Sequence, residues 1–136
     1  MKVLVDEGVP RPLVSARKNL GIDATRFPRE WFGMRNSHLL AMLVGHGFSV
    51  LITNDKNMAS QQSLAGRSLA VVALPHNRQP YIVERVGDIA DTILRARPGQ
   101  HVLIDWDGSR TVIEALEGRT VRTSMPPVGR FTIDRR

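Results

Sequence analysis

Lys2 to Val5 is a short apolar, β-branched run that stops at Asp6-Glu7-Gly8, a pattern that predicts a strand delivering two carboxylates at its end. After Val9-Pro10 apolar residues recur at Leu13, Val14 and Leu20 and stop at Gly21, a helical stretch with its terminator; Ile22 to Thr25 fits a second short strand. The next loop carries Phe27, Trp31 and Phe32, a concentration of aromatic residues that predicts a packed rather than a loose segment. Asn36 or Ser37 is placed to cap a helix with an apolar stripe of Leu39, Leu40, Leu43 and Val44, ended by Gly45 to Gly47.

Phe48 to Thr53 is nearly continuous in apolar residues, as a strand buried on both faces would be, and it ends in Asn54-Asp55-Lys56-Asn57. A polar short helix through Gln61 and Gln62 leads to Gly66, and Ser68 to Leu74 reads as the next buried strand, stopped by Pro75. From Pro80, at a first helical position, Ile82, Val86, Ile89 and Ile93 make one stripe that predicts a single helix through Arg95. Beyond Pro98-Gly99 the period changes to two. HVLIDW, a turn at Asp107 to Ser109, TVIEAL, a turn at Glu117-Gly118 and RTVRTS predict two or three antiparallel strands.

Strands alternating with helices predict crossovers and a mostly parallel sheet with both faces covered, so residues 1–100 read as a three-layer α/β domain. Residues 101–136 read as a C-terminal antiparallel β appendage of the same domain, added to the sheet edge or used for self-association. The chain has 136 residues and is 42% hydrophobic, enough for one core, and its longest apolar runs fall far short of the roughly 18 residues a membrane span needs. The carboxylates at Asp6-Glu7 stand where a secretory signal would need apolar residues, which predicts a cytoplasmic protein. With no cysteine, thiol nucleophiles, disulfides and cysteine zinc sites are excluded. The formal net charge is +6 and its excess lies within residues 1–100, favouring nucleic acid or an acidic protein as partner.

In an open parallel sheet ligands bind outside the carboxyl ends of the strands, where strand order reverses. The residues delivered there are Asp6 and Glu7 from the first strand, Thr53, Asn54, Asp55 and Asn57 from the third, and Asn36 from the loop before the second helix. Carboxylates with amide oxygens beside them make a hard oxygen site suited to Mg²⁺ or Mn²⁺, which could orient a phosphodiester and acidify an attacking water. The same residues have plainer uses: Asp6 as a turn cap, Glu7 as a solvated neighbour, Asp55, Asn57 and Asn36 as helix caps. His38, His46, His76 and His101 lack metal-ligand spacing, and neither a nucleophile elbow nor a Gly-rich phosphate loop is present. A phospho-acceptor domain would also use acidic strand ends but needs a late lysine, whereas Lys2, Lys18 and Lys56 all lie in the first half.

The segments MKVLVDEGVPRPL, WFGMRNSHLLAML and FSVLITNDKNMASQQSLAGRSLAVVALP resemble, in order and spacing, the PIN-like domains related to toxin ribonucleases of type II toxin–antitoxin modules. The resemblance covers about residues 1 to 100 and is most specific in the strand followed by TNDKN, then in LVDE. It implies a Rossmann-like PIN fold and a Mg²⁺- or Mn²⁺-dependent endoribonuclease, with Asp6 and Asp55 as metal ligands and Glu7, Asn36 and Asn57 completing the catalytic shell. Asn36 and Asn57 stand where such nucleases carry acidic residues, and Gly8 replaces the Asn of a DEN segment. The alternative is a PIN-like module that binds nucleic acid or a partner protein without cutting. Arg11, Arg35, Lys56 and Arg78 are the cations expected to track an RNA backbone, or else solvated surface charge. The resemblance further implies a small antitoxin partner and a homodimer.

Overall fold

The structure, a computed structural model, describes residues 2–6, 9, 22–26, 28–31, 33–58, 64–76 and 78–131. The helix expected around Leu13 to Leu20, the stretch through Gln61 and Gln62, and Glu7, Gly8 and Arg11 lie outside them. Strands β1 (Lys2–Val5), β2 (Asp23–Arg26), β3 (Val50–Thr53), β4 (Ala70–Ala73), β5 (His101–Ile104), β6 (Arg110–Leu116) and β7 (Arg119–Met125) form one seven-stranded sheet in the order β2-β1-β3-β4-β5-β6-β7. The first five are mutually parallel, with Val5 beside Ile52, Thr53 beside Ala73 and Ala73 beside Leu103. β1, β3 and β4 are short and apolar because both of their faces are covered. Val3, Val5, Val50, Ile52, Ala70 and Val72 join one core cluster, and the alternate residues Leu4, Leu51 and Val71 join another.

Helix α1 (Asn36–Gly45) buries Leu39, Leu40 and Leu43 in the second cluster, while α2 (Gln79–Glu84) and α3 (Val86–Arg95) bury Ile82, Ile89, Ala90 and Ile93 in the first. Arg35, with extended backbone and no capping side-chain bond, precedes α1, so Asn36 is its first helical residue and not its cap. The single helix expected from Pro80 to Arg95 is two. At Arg85 the backbone leaves the helical region (φ −102°, ψ 24°), its Nε donates to the carbonyl of Arg130 at 2.7 Å, and Gly87, a weak helix former, follows. Among the described residues, no helix is long and apolar enough to cross a membrane.

The C-terminal strands extend the edge of the same sheet as antiparallel neighbours of one another, and the first of them also joins the parallel set. β5 lies parallel to β4, because α3 carries the chain back across the sheet before it begins, and antiparallel to β6; β6 alone runs against the other strands, so the antiparallel pairs are β5–β6 and β6–β7. The Glu117-Gly118 turn between them has both residues at positive φ (51° and 76°), the geometry that matches hairpin twist. After β7 residues 126–131 return across the β5–β6 turn. A Cβ on Gly108 would collide with the carbonyl oxygen of Val128, and Val128 N–H donates to Gly108 O at 2.9 Å. Phe131, completely buried, closes the first cluster. Arg110, also buried, donates to Pro126 O, to Asp91 Oδ2 and to the Thr92 hydroxyl, and so joins β6, this returning segment and α3.

Candidate functional site at the carboxyl edge of the sheet

The connection from β1 runs to β2 on one side, and β3 then enters on the other, so strand order reverses between β1 and β3. This is where the crevice of an open sheet lies. Asp6 follows β1 and is held there by its own N–H, which donates to Ile52 O at 2.9 Å. Asp6 and Thr53 share the side-chain parity of Leu4 and Leu51, so both face the layer that contains α1. Their side chains meet: the Thr53 hydroxyl donates to Asp6 Oδ2 at 2.7 Å and accepts from the Asp55 N–H at 3.0 Å. Asp55 Oδ1 in turn accepts from the Asn57 N–H at 2.9 Å, an Asx turn that fixes its carboxylate. One buried hydroxyl therefore links the side chain of Asp6 to the backbone of Asp55, and the Asx turn at Asp55 coexists with its place in this chain of bonds.

α1 links β2 to β3, two parallel strands, so its N-terminus stands at the carboxyl edge of the sheet. Asn36 is exposed there, on the same face as Asp6 and Thr53. Arg35 precedes it, Lys56 follows β3 and Arg78 follows β4, so three of the expected cations lie exposed along this edge. Among the described residues no group of three or more His, Asp or Glu side chains gathers as a metal cage. Among the described residues, Asp6 and Asp55 are the carboxylates that follow β1 and β3, and oxygen donors of this kind suit a hard cation retaining much of its water. At the end of β5 stand Asp105 and Trp106.

Two features of the same edge have no counterpart in the motifs. Lys56 Nζ lies 3.8 Å from Asp105 Oδ1, an exposed pair of little energetic weight that brings the loop after β3 against the loop after β5. Beside it His76, Tyr81 and Trp106 cluster, with His76 and Trp106 ring centroids 3.9 Å apart and the Arg78 guanidinium 5.7 Å from the Trp106 ring. His76 Nδ1 accepts from the Arg78 N–H at 3.0 Å, which makes Nε2 the protonated nitrogen that faces Phe131 O at 3.2 Å. Burial lowers the His76 pKa, the bond to Phe131 O opposes that shift, and the charge of Arg78 adds to it.

On β5, His101 is buried with both ring nitrogens lacking a hydrogen-bond partner. Burial holds its pKa below the ordinary imidazole value, and the negative charge of Asp55 works against that shift. The signal for these residues was available: His76 and Trp106 follow the fourth and fifth apolar runs as Asp6 and Asp55 follow the first and third. Comparison with protein-family models, with curated proteins and with solved structures returns no match, so the chemistry of this edge rests on its own residues.

Proposed function

We propose that the chain is a divalent-metal-dependent endoribonuclease with a three-layer, Rossmann-like PIN arrangement, acting in the cytoplasm as the toxin of a toxin–antitoxin pair. The observation that carries this reading is the pair of aspartates, Asp6 and Asp55, at the carboxyl ends of adjacent parallel strands and tied through the Thr53 hydroxyl. Asp6 and Asp55 would hold Mg²⁺ or Mn²⁺, with Glu7, Asn36 and Asn57 around them; when bound, such an ion stabilises charge on a phosphodiester and acidifies water. The protein's own part is orientation. Thr53 fixes the Asp6 carboxylate and the Asn57 N–H fixes that of Asp55, so neither has to be ordered when RNA arrives. Arg35, Lys56 and Arg78, with Arg11, supply positive charge for the RNA backbone. A small antitoxin that covers this edge and a homodimer complete the proposal.

Cleavage of a mixed set of structured and single-stranded RNAs in Mn²⁺ or Mg²⁺ tests it. Activity is expected to require metal, to vanish in EDTA, and to fall by a factor of about 100 or more in Asp6→Asn and in Asp55→Asn, which lose a charge but not size. Wild-type protein that cuts nothing and binds no divalent ion in a calorimetric titration overturns it. The second reading, a module that binds RNA without cutting, is favoured by one observation: Asn36 and Asn57 bring no charge, and no third carboxylate joins Asp6 and Asp55 among the described residues. That reading predicts salt-sensitive RNA binding with no turnover.

A further inference from the structure

Trp106 is 37% exposed, a large apolar surface left in water beside a charged edge, and its position is fixed from three directions. Its carbonyl accepts from the Phe131 N–H at 2.9 Å. The turn that carries it is closed by Asp105 N–H to Ser109 O at 2.9 Å and Gly108 N–H to Asp105 O at 3.0 Å. One neighbour is the His76 ring, tilted 40° to it, and Tyr81 stands edge-on to His76 at 5.7 Å. His76 is itself held through both ring nitrogens. Its lowered pKa keeps the ring uncharged at neutral pH, so it does not repel the Arg78 guanidinium beside it.

We propose that Trp106, backed by His76 and Tyr81 and flanked by Arg78, is a stacking platform for an unpaired base of single-stranded RNA. The proposal rests on the RNA reading above and adds to it the substrate's form. A rigid, partly exposed indole loses little freedom on contact, and every base has a π face, so stacking is tolerant of sequence. In a duplex those faces are covered by neighbouring base pairs, and only a loop, bulge or single strand can offer one. The Arg78 guanidinium, 5.7 Å from the ring centroid, supplies the charge that the adjoining phosphate needs. The platform is continuous with the acidic crevice, because the Lys56–Asp105 pair brings the residue after Asp55 against the residue before Trp106. A base on Trp106 would thus place the neighbouring backbone along the carboxyl edge towards Asp55.

The test uses the whole chain with Trp31→Phe, which leaves Trp106 as its one tryptophan. Short single-stranded RNA and a duplex of equal length are titrated in EDTA, where nothing is cut, and indole quenching is followed. Saturable quenching by the single strand is expected, with binding to the duplex weaker by about tenfold or more. In anisotropy with labelled RNA, Trp106→Ala should weaken single-strand binding about tenfold and Trp106→Phe, which keeps a ring, by less than about threefold. Equal affinity for duplex and single strand, wild-type affinity in Trp106→Ala, or quenching that follows protein concentration without RNA, as a second copy docking on the ring would give, overturns the platform. Protein that stacks RNA on Trp106 but never cuts removes the nuclease and leaves the platform standing. Protein that cuts, with KM unchanged in Trp106→Ala, does the reverse.

Discussion

At the scale of single residues the carboxyl edge is organised by small hydrogen-bonded units. Thr53 is the hinge of one of them: replaced by Val, it would leave the Asp6 carboxylate and the Asp55 N–H without their shared partner while preserving shape. His101 is the opposite case, a buried imidazole whose nitrogens have no partner. Its folded-state pKa lies below that of the unfolded chain, about 6.5. The unfolded chain therefore takes up the proton first as pH falls, and the stability contributed by the neutral ring is complete above pH of about 6.5 and lost below it. Urea midpoints measured at pH 7.5 and pH 5 should fall in the wild type and fall less in His101→Leu. His76, shifted in the same direction, accounts for part of the remaining slope. An identical pH dependence in the two proteins would mean that His101 is already partnered or protonated.

Between elements the decisive contacts are those that the C-terminal segment makes with the helices. Phe131 fills the core beneath α2 and α3, and Phe131→Ala should destabilise the fold by about 3–5 kcal/mol, read as a lower denaturant midpoint with an unchanged slope. Local pattern made much of the architecture legible. β1, β3 and β4 are apolar runs bounded by turn residues, α1 has its stripe at Leu39, Leu40 and Leu43, and Glu117-Gly118 announces a hairpin. What pattern did not carry are the decisions made by distant partners. The parallel pairing of β5 depends on β4 some 30 residues earlier, and the break at Arg85 goes with a guanidinium that reaches Arg130. Arg110 looks like an outward-facing strand residue until Asp91 and Thr92 of α3 are brought to it. The arginine bond lowers the Asp91 pKa first, with Arg95 adding to the effect. The same division holds at the site: Asp6, Thr53 and Asp55 stand at the ends of recognisable strands, whereas the Trp106 cluster draws on two loops 30 residues apart.

For the molecule as a whole the question is where its +6 charge acts. Arg35, Lys56 and Arg78 are collected along the carboxyl edge of one sheet, which makes a positive rim around a carboxylate-bearing crevice. If each neutralises one phosphate of single-stranded RNA, the logarithm of affinity should fall with the logarithm of salt with a slope of about −2, and Arg35→Ala should reduce that slope by about 0.7. A uniform loss of affinity with no change in slope would show that Arg35 acts otherwise than through phosphate.

The returning segment also orders events in time. Phe131 seals the hydrophobic interior, its N–H holds Trp106 and its carbonyl faces His76, so the aromatic cluster cannot be complete before residue 131 has left the ribosome. A nascent chain that has already paired β1 with β3 thus carries its aspartates in register but not its finished indole surface. During synthesis the residues of the acidic crevice therefore enter the chain well before the one that holds Trp106 and His76 in place.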